Sequence, residues 1–216
     1  MNQLIVRCSE LSKLMTKGRS KSEPLGETTK SYLMQKAKED FYGIFVNVST
    51  KYMDKGIMNE NRAIKMLNNV YFTDYYKNDV RKTNEWLTGE CDILAPDKII
   101  DIKCSWSFDT FPAFQEEAEK SVKQSGYDWQ MRGYMMLFDR PKAEVTYCLT
   151  STPEELLSKF DDVALHKVDH INPVLRVTSV TIERDLEIEA QMYEQYKIAN
   201  EYYQSLINQL KNKYRS

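Results

Sequence analysis

The chain has 216 residues, of which 42% are hydrophobic and 29% charged, with a formal net charge of −2. This is the composition of an ordinary globular protein, long enough to bury a core without disulfide or metal staples, and it reads as one domain over 1–216. No apolar run approaches the ~20 residues that span a bilayer, and Met-Asn-Gln-Leu-Ile-Val-Arg-Cys lacks the form of a cleaved signal peptide, so a cytoplasmic protein with no membrane partner is expected.

Residues 9–16 read as a short helix with Ser9 as its N-cap. Residues 17–26 follow as a basic surface loop, and residues 28–42 as a helix closed by Gly43. A second long helix is expected over 57–68, with Gly56 and Glu60 four apart at its start. The period then changes. Strands are expected at 70–72, 86–94 and 98–104, with Ala95-Pro96-Asp97-Lys98 as a hairpin turn. Residues 105–124 form a charged, Phe-containing segment, and 127–138 a helix on which Gln130 and Tyr134 share a face. A strand over 143–150, a helix starting at Thr152-Pro153-Glu154-Glu155, a strand over 174–182 and a long amphipathic helix from 185 to 214 complete the chain. This order predicts an α/β fold, a mixed central sheet flanked by helices.

The chain is organised around Ile99-Ile100-Asp101-Ile102-Lys103-Cys104. Strand alternation places residues 99, 101 and 103 on one face, about 6.5 to 7 Å apart, so Asp101 and Lys103 point the same way. Two ionisable groups in an apolar strand need a partner, an exposed edge or a third charged species between them. The hairpin turn brings Asp92 near Asp101, and carboxylates of this kind suit Mg²⁺ or Mn²⁺, with the Ile102 carbonyl as a further ligand. Lys103 is placed to orient or deprotonate a metal-bound water and to offset phosphate charge.

The remaining chemistry-bearing residues are less specific. Cys8, Cys91, Cys104 and Cys148 contain no CxxC pair and read as small buried residues. Up to residue 38, eight Lys and Arg outnumber three Glu, which makes either a phosphate-facing surface or a solvated face.

Taken together, Gly56-x-x-x-Glu60, Gly89-Glu90-Cys91-Asp92, Asp101-Ile102-Lys103 and Gln130-x-x-x-Tyr134, in this order, resemble the PD-(D/E)XK nuclease superfamily. Within it they are most similar to the phage lambda-type and YqaJ-like exonucleases. The resemblance implies a restriction-endonuclease-like core, with Asp92 and Asp101 as direct metal ligands and Glu60 holding a second metal or its water. It makes Lys103 the catalytic lysine and gives Gln130 and Tyr134 a positioning role. Ser9, and Arg7 beside it, are candidates for a terminal 5′ phosphate. It further implies 5′-to-3′ digestion of double-stranded DNA in phage-type recombination, a single-strand annealing partner and a ring-shaped homo-oligomer. An endonuclease of the same fold and a non-catalytic DNA-binding protein are the alternatives. Cys91 stands where the motif usually has proline, and the second acid is Asp rather than Glu.

Overall fold

The computed structural model describes residues 3–20, 23–47 and 49–215. Lys21 and Ser22, within the expected basic loop, lie outside the described residues.

Val6–Arg7 (β1) enters a 3₁₀ turn at Cys8–Glu10 and the single-turn helix Leu11–Leu14 (α1). Ser9 therefore sits inside the 3₁₀ turn and is not an N-cap; neither short element has a side-chain cap. Glu27–Tyr42 (α2) ends as expected at Gly43, whose left-handed backbone (φ 67°) lets its N–H reach the Glu39 carbonyl at 2.8 Å.

Lys51–Tyr71 (α3) is longer than expected at both ends. Thr50 caps it by accepting from the Met53 N–H, and it absorbs Val70 and Tyr71 of the expected strand at 70–72, with Phe72 as its left-handed C-cap. The reason is packing: Ala63, Ile64 and Leu67 are buried on one helical stripe and Val70 continues it, whereas three residues are too few to establish a two-residue period.

The expected strand over 86–94 is two strands in different sheets. Leu87–Gly89 (β3) pairs in parallel with β1 and antiparallel with Lys82–Thr83 (β2). Ile93–Leu94 (β4) begins the second sheet, in the order β4-β5-β6-β7, with Ile99–Cys104 (β5), Lys142–Cys148 (β6) and Val177–Glu183 (β7). The hairpin turn is present, with the Ala95 N–H bonding the Lys98 carbonyl at 2.9 Å and Ile93 opposite Ile100. β5 runs parallel to β6, and β7 runs antiparallel to it, so the sheet is mixed.

Between β5 and β6 lie two helices, Gln115–Ser125 (α4) and Tyr127–Phe138 (α5). Sequence reading missed α4 because its buried stripe is only Ala118 and Val122, and its remaining residues are mostly charged or polar. The expected helix at 152 is only a 3₁₀ turn, Glu154–Leu156. Thr152 is buried instead, donating to the Trp106 carbonyl at 2.8 Å. A second single-turn helix, Val163–His166 (α6), follows, and the first three residues of the strand expected over 174–182 lie instead in a 3₁₀ turn, Pro173–Arg176, leading into β7.

The long C-terminal helix, Leu186–Arg215 (α7), starts on Asp185, whose carboxylate accepts from the Glu187 and Ile188 N–H groups. It buries Met192, Tyr196, Ala199 and Tyr203, and Tyr203 donates to Asp40 on α2 at 2.8 Å.

The two faces of β5 belong to separate cores. Ile99 packs in the larger core with Met131, Tyr134 and Phe138 of α5, while Ile100 and Ile102 pack with Ala63, Ile64 and Leu67 of α3. The strand at the centre of the chain is thus buried on both sides, with Asp101 2% exposed.

Candidate active site

Asp101 lies on the α5 face of β5 and is held from both ends. Its Oδ1 accepts from Gln130 Nε2 at 3.2 Å, and its Oδ2 faces Lys103 Nζ at 2.6 Å. Gln130 Nε2 also donates to the Tyr134 hydroxyl at 3.0 Å, so the i, i+4 pair expected on α5 forms one buried chain leading to Asp101. Lys103 Nζ lies 4.3 Å from the centre of the Tyr127 ring, a cation–π contact from the first residue of α5. Burial pulls the Lys103 pKa down, but Asp101 and Tyr127 outweigh it and the net shift is upward. In the metal-free protein Asp101 thus holds Lys103 as an ammonium ion, placed to orient a ligand and to stabilise negative charge.

Asp92 reaches the same place from the short break between β3 and β4. Its Oδ2 accepts from the Ile102 main-chain N–H at 2.6 Å. That N–H points toward the β4 side of the sheet, where β4 has already turned away. In a strand the N–H and C=O of one residue point to the same side, so the Ile102 carbonyl is turned toward Asp92 as well. Burial, then the neighbouring charge of Asp101, push Asp92 up to about 8. Glu60 adds to this, while the Ile102 N–H and Lys103 oppose it.

Glu60, on α3, is drawn aside. Its Oε2 is 2.6 Å from Lys77 Nζ in the loop after that helix. Among the described residues, no group of three or more His, Cys, Asp or Glu side chains converges on a metal position. The oxygen set on offer is Asp92, Asp101 and the Ile102 carbonyl, with Glu60 beside it.

Sequence reading missed the residues that brace Asp92. Asn78 is buried; its N–H donates to the Asp92 carbonyl at 2.8 Å and its side-chain amide to the Cys91 carbonyl at 3.0 Å. Lys77 and Asn78 lie in a loop with no periodicity, and no local pattern marks them. Cys91 itself is buried, and burial raises its thiol to about 12, so it is inert filler as expected.

Arg7 and Ser9 are both exposed, on β1 and the 3₁₀ turn that follows. The residue between them, Cys8, is buried beside Gly89 and Tyr134: a side chain on Gly89 would meet Cys8 Sγ at 2.8 Å and Tyr134 Cε1 at 2.7 Å. Of the N-terminal basic residues, Lys13, Lys30 and Lys36 pair with acids three or four residues away. Lys17, Arg19 and Lys38 are exposed. Gly56 has no visible steric duty, since a Cβ there meets nothing within 4 Å.

No family model matches the chain, and the search against curated proteins gives no match. Solved structures do match. A phage-related exonuclease from Haemophilus somnus 129PT is 37% identical, with coverage of 97% of each chain and a TM-score of 0.91. An alkaline exonuclease from Laribacter hongkongensis, LHK-Exo, is 16% identical, covers 98% of this chain and 93% of its own, and has a TM-score of 0.65, a likeness of fold. The same enzyme solved in complex with dAMP matches equally, at 17% identity and a TM-score of 0.65. With the carboxylate hairpin, the lysine on β5 and the Gln-Tyr pair on α5 in place, the chain belongs to the phage-related, lambda- and YqaJ-like exonuclease family of the PD-(D/E)XK fold.

Proposed function

We propose that the chain is a divalent-metal-dependent exonuclease that hydrolyses phosphodiester bonds of double-stranded DNA from an end, with 5′-to-3′ polarity, in phage-type recombination. One observation carries the reading: Asp92 and Asp101 meet on a strand hairpin, Asp92 on the Ile102 N–H and Asp101 on Lys103. Hard oxygen donors of this kind fit Mg²⁺ or Mn²⁺. After burial, the charge of Asp101 is the second cause of the elevated Asp92 pKa, and a divalent cation between the two carboxylates would offset that part of it.

Asp92, Asp101 and the Ile102 carbonyl would hold the ion, with Glu60 serving it from α3. When bound, it supplies an activated water and offsets charge on the phosphate. The chain's own residues do the rest. Gln130 fixes the Asp101 carboxylate, and Tyr134 fixes Gln130. Lys103 directs its N–H groups at the attacking water or a phosphate oxygen and stabilises charge as it develops. Arg7 and Ser9 are the proposed contacts for a terminal 5′ phosphate. LHK-Exo, of similar fold, has been solved in complex with dAMP, and a deoxynucleotide is the proposed ligand here. A ring-shaped homo-oligomer, an annealing partner, a cytoplasmic location and a single-domain organisation over 1–216 belong to the same proposal.

The test is digestion of a linear duplex labelled at either 5′ end, with Mg²⁺ or with EDTA, beside a closed circle and a Lys103→Ala variant. Metal-dependent release of 5′ nucleotides from the linear duplex alone, lost in the variant, is expected. Cutting of the circle would show an endonuclease, and binding without cutting a non-catalytic DNA-binding protein.

A further inference from the structure

We infer that Lys77 is an exchangeable internal cation: it holds Glu60 in the metal-free protein, releases the carboxylate when a divalent ion arrives, and then presents its charge to the DNA backbone. The inference rests on the nuclease reading for its second half only.

The pairing is asymmetric in a way that suits exchange. Lys77 Nζ sits 2.6 Å from Glu60 Oε2, yet the Lys77 side chain is 48% exposed while that of Glu60 is 15% exposed. The carboxylate belongs to the site and the ammonium to its rim. Lys77 also lies in the fields of Asp92 and Glu90, so its positive charge is part of what balances the acidic pocket. Its backbone is not free to wander. The next residue, Asn78, is buried and bonds the Cys91 and Asp92 carbonyls, which fixes the root of the Lys77 side chain beside Asp92. A long flexible side chain on a fixed root at the mouth of a carboxylate cluster can turn from carboxylate to phosphate without moving the main chain.

Two like-signed cations a few ångströms apart repel, so Lys77 and a divalent ion on Glu60 compete. Once displaced, Lys77 is one more phosphate contact.

The variant is Lys77→Gln, which keeps the length and polarity of the side chain and removes the charge, with Lys77→Arg as the conservative control. Calorimetric titration of Mn²⁺ into the DNA-free protein should show affinity rising by about fivefold in Lys77→Gln. Anisotropy of a labelled 20-base-pair duplex in Ca²⁺ should show the same variant binding DNA more weakly, with the salt dependence shallower by about one ion. Lys77→Arg should stay near the parent in both. Metal and DNA affinity moving in opposite directions is the signature, since a merely structural lysine would weaken both. Metal affinity that falls or stays unchanged in Lys77→Gln, an unaltered salt slope, or no Mn²⁺ binding by the parent protein overturns the inference. Parent protein that binds Mn²⁺ but digests no DNA would sink the nuclease reading and leave the metal half of the inference to stand on its own titration.

Discussion

The site has two halves built by different means. Asp101, Lys103, Gln130 and Tyr134 stand on one strand and one helix, and each reaches the next by a direct contact within or between these regular elements. Asp92 and Glu60 come from a break between two sheets and from a helix packed on the opposite face of β5, and they are braced by Lys77 and Asn78 from an irregular loop. Periodicity places the first half. The second depends on contacts between distant segments, so it is the half that metal and pH should move most easily.

The largest expected effect falls on the regular half. Lys103→Ala should lower the single-turnover rate by on the order of 10²–10³, the loss typical of removing one preorganised charge-stabilising donor. A loss below tenfold would mean that Lys103 is a counter-ion of Asp101 and little else.

The braced half should show itself in a pH dependence. The Asp92 pKa is pushed from about 3.9 in the unfolded chain up to about 8 by burial and by Asp101. The folded state therefore binds the extra proton, and the stability this contributes is present below about pH 4 and lost as pH rises through about 8. Chemical denaturation of metal-free protein should show unfolding free energy falling across that window by on the order of a few kcal/mol from this group. Asp92→Asn or saturating Mn²⁺ should flatten the slope.

Between the halves, Asn78→Ala and Gln130→Ala should each cost about 1–3 kcal/mol by leaving buried acceptors without donors. They should separate in their effect on metal: Asn78→Ala loosens the Asp92 segment and weakens Mn²⁺ binding. Gln130→Ala leaves Asp101 paired with Lys103 and should change metal affinity less. Equal losses would erase the distinction between the halves.

Two glycines close the series, one with an effect of the same size and one with the smallest. Gly89→Ala drives a methyl into Tyr134 and Cys8 and should cost about 1–3 kcal/mol in thermal or denaturant unfolding. Gly56→Ala, on an open helical surface, should stabilise by about 0.4–1 kcal/mol.

How far the molecule was legible follows the same division. The β4–β5 hairpin was readable because Pro96 and Asp97 mark a turn between two apolar runs, and α5 because Gln130 and Tyr134 sit on a helical period. The end of α3 was not, since Val70-Tyr71-Phe72 looks β-like in isolation, and the packing of Val70 with Ile100 and Ile102 shows only in the fold. Likewise, nothing in Leu87 to Leu94 signals that the strand breaks at Glu90–Asp92. The break exists because Asp92 turns its side chain onto the Ile102 N–H and Asn78 takes the neighbouring carbonyls. Lys77 carries no local signal, as a lysine in a polar loop is indistinguishable from a solvated one until the fold brings Glu60 to it.

The central claim, that Asp92, Asp101 and the Ile102 carbonyl together hold the ion that serves hydrolysis, is tested most directly by anomalous diffraction from crystals soaked in Mn²⁺. A peak in contact with all three ligands is predicted. A peak elsewhere, or none under conditions where the same protein degrades linear duplex in Mn²⁺, would contradict it.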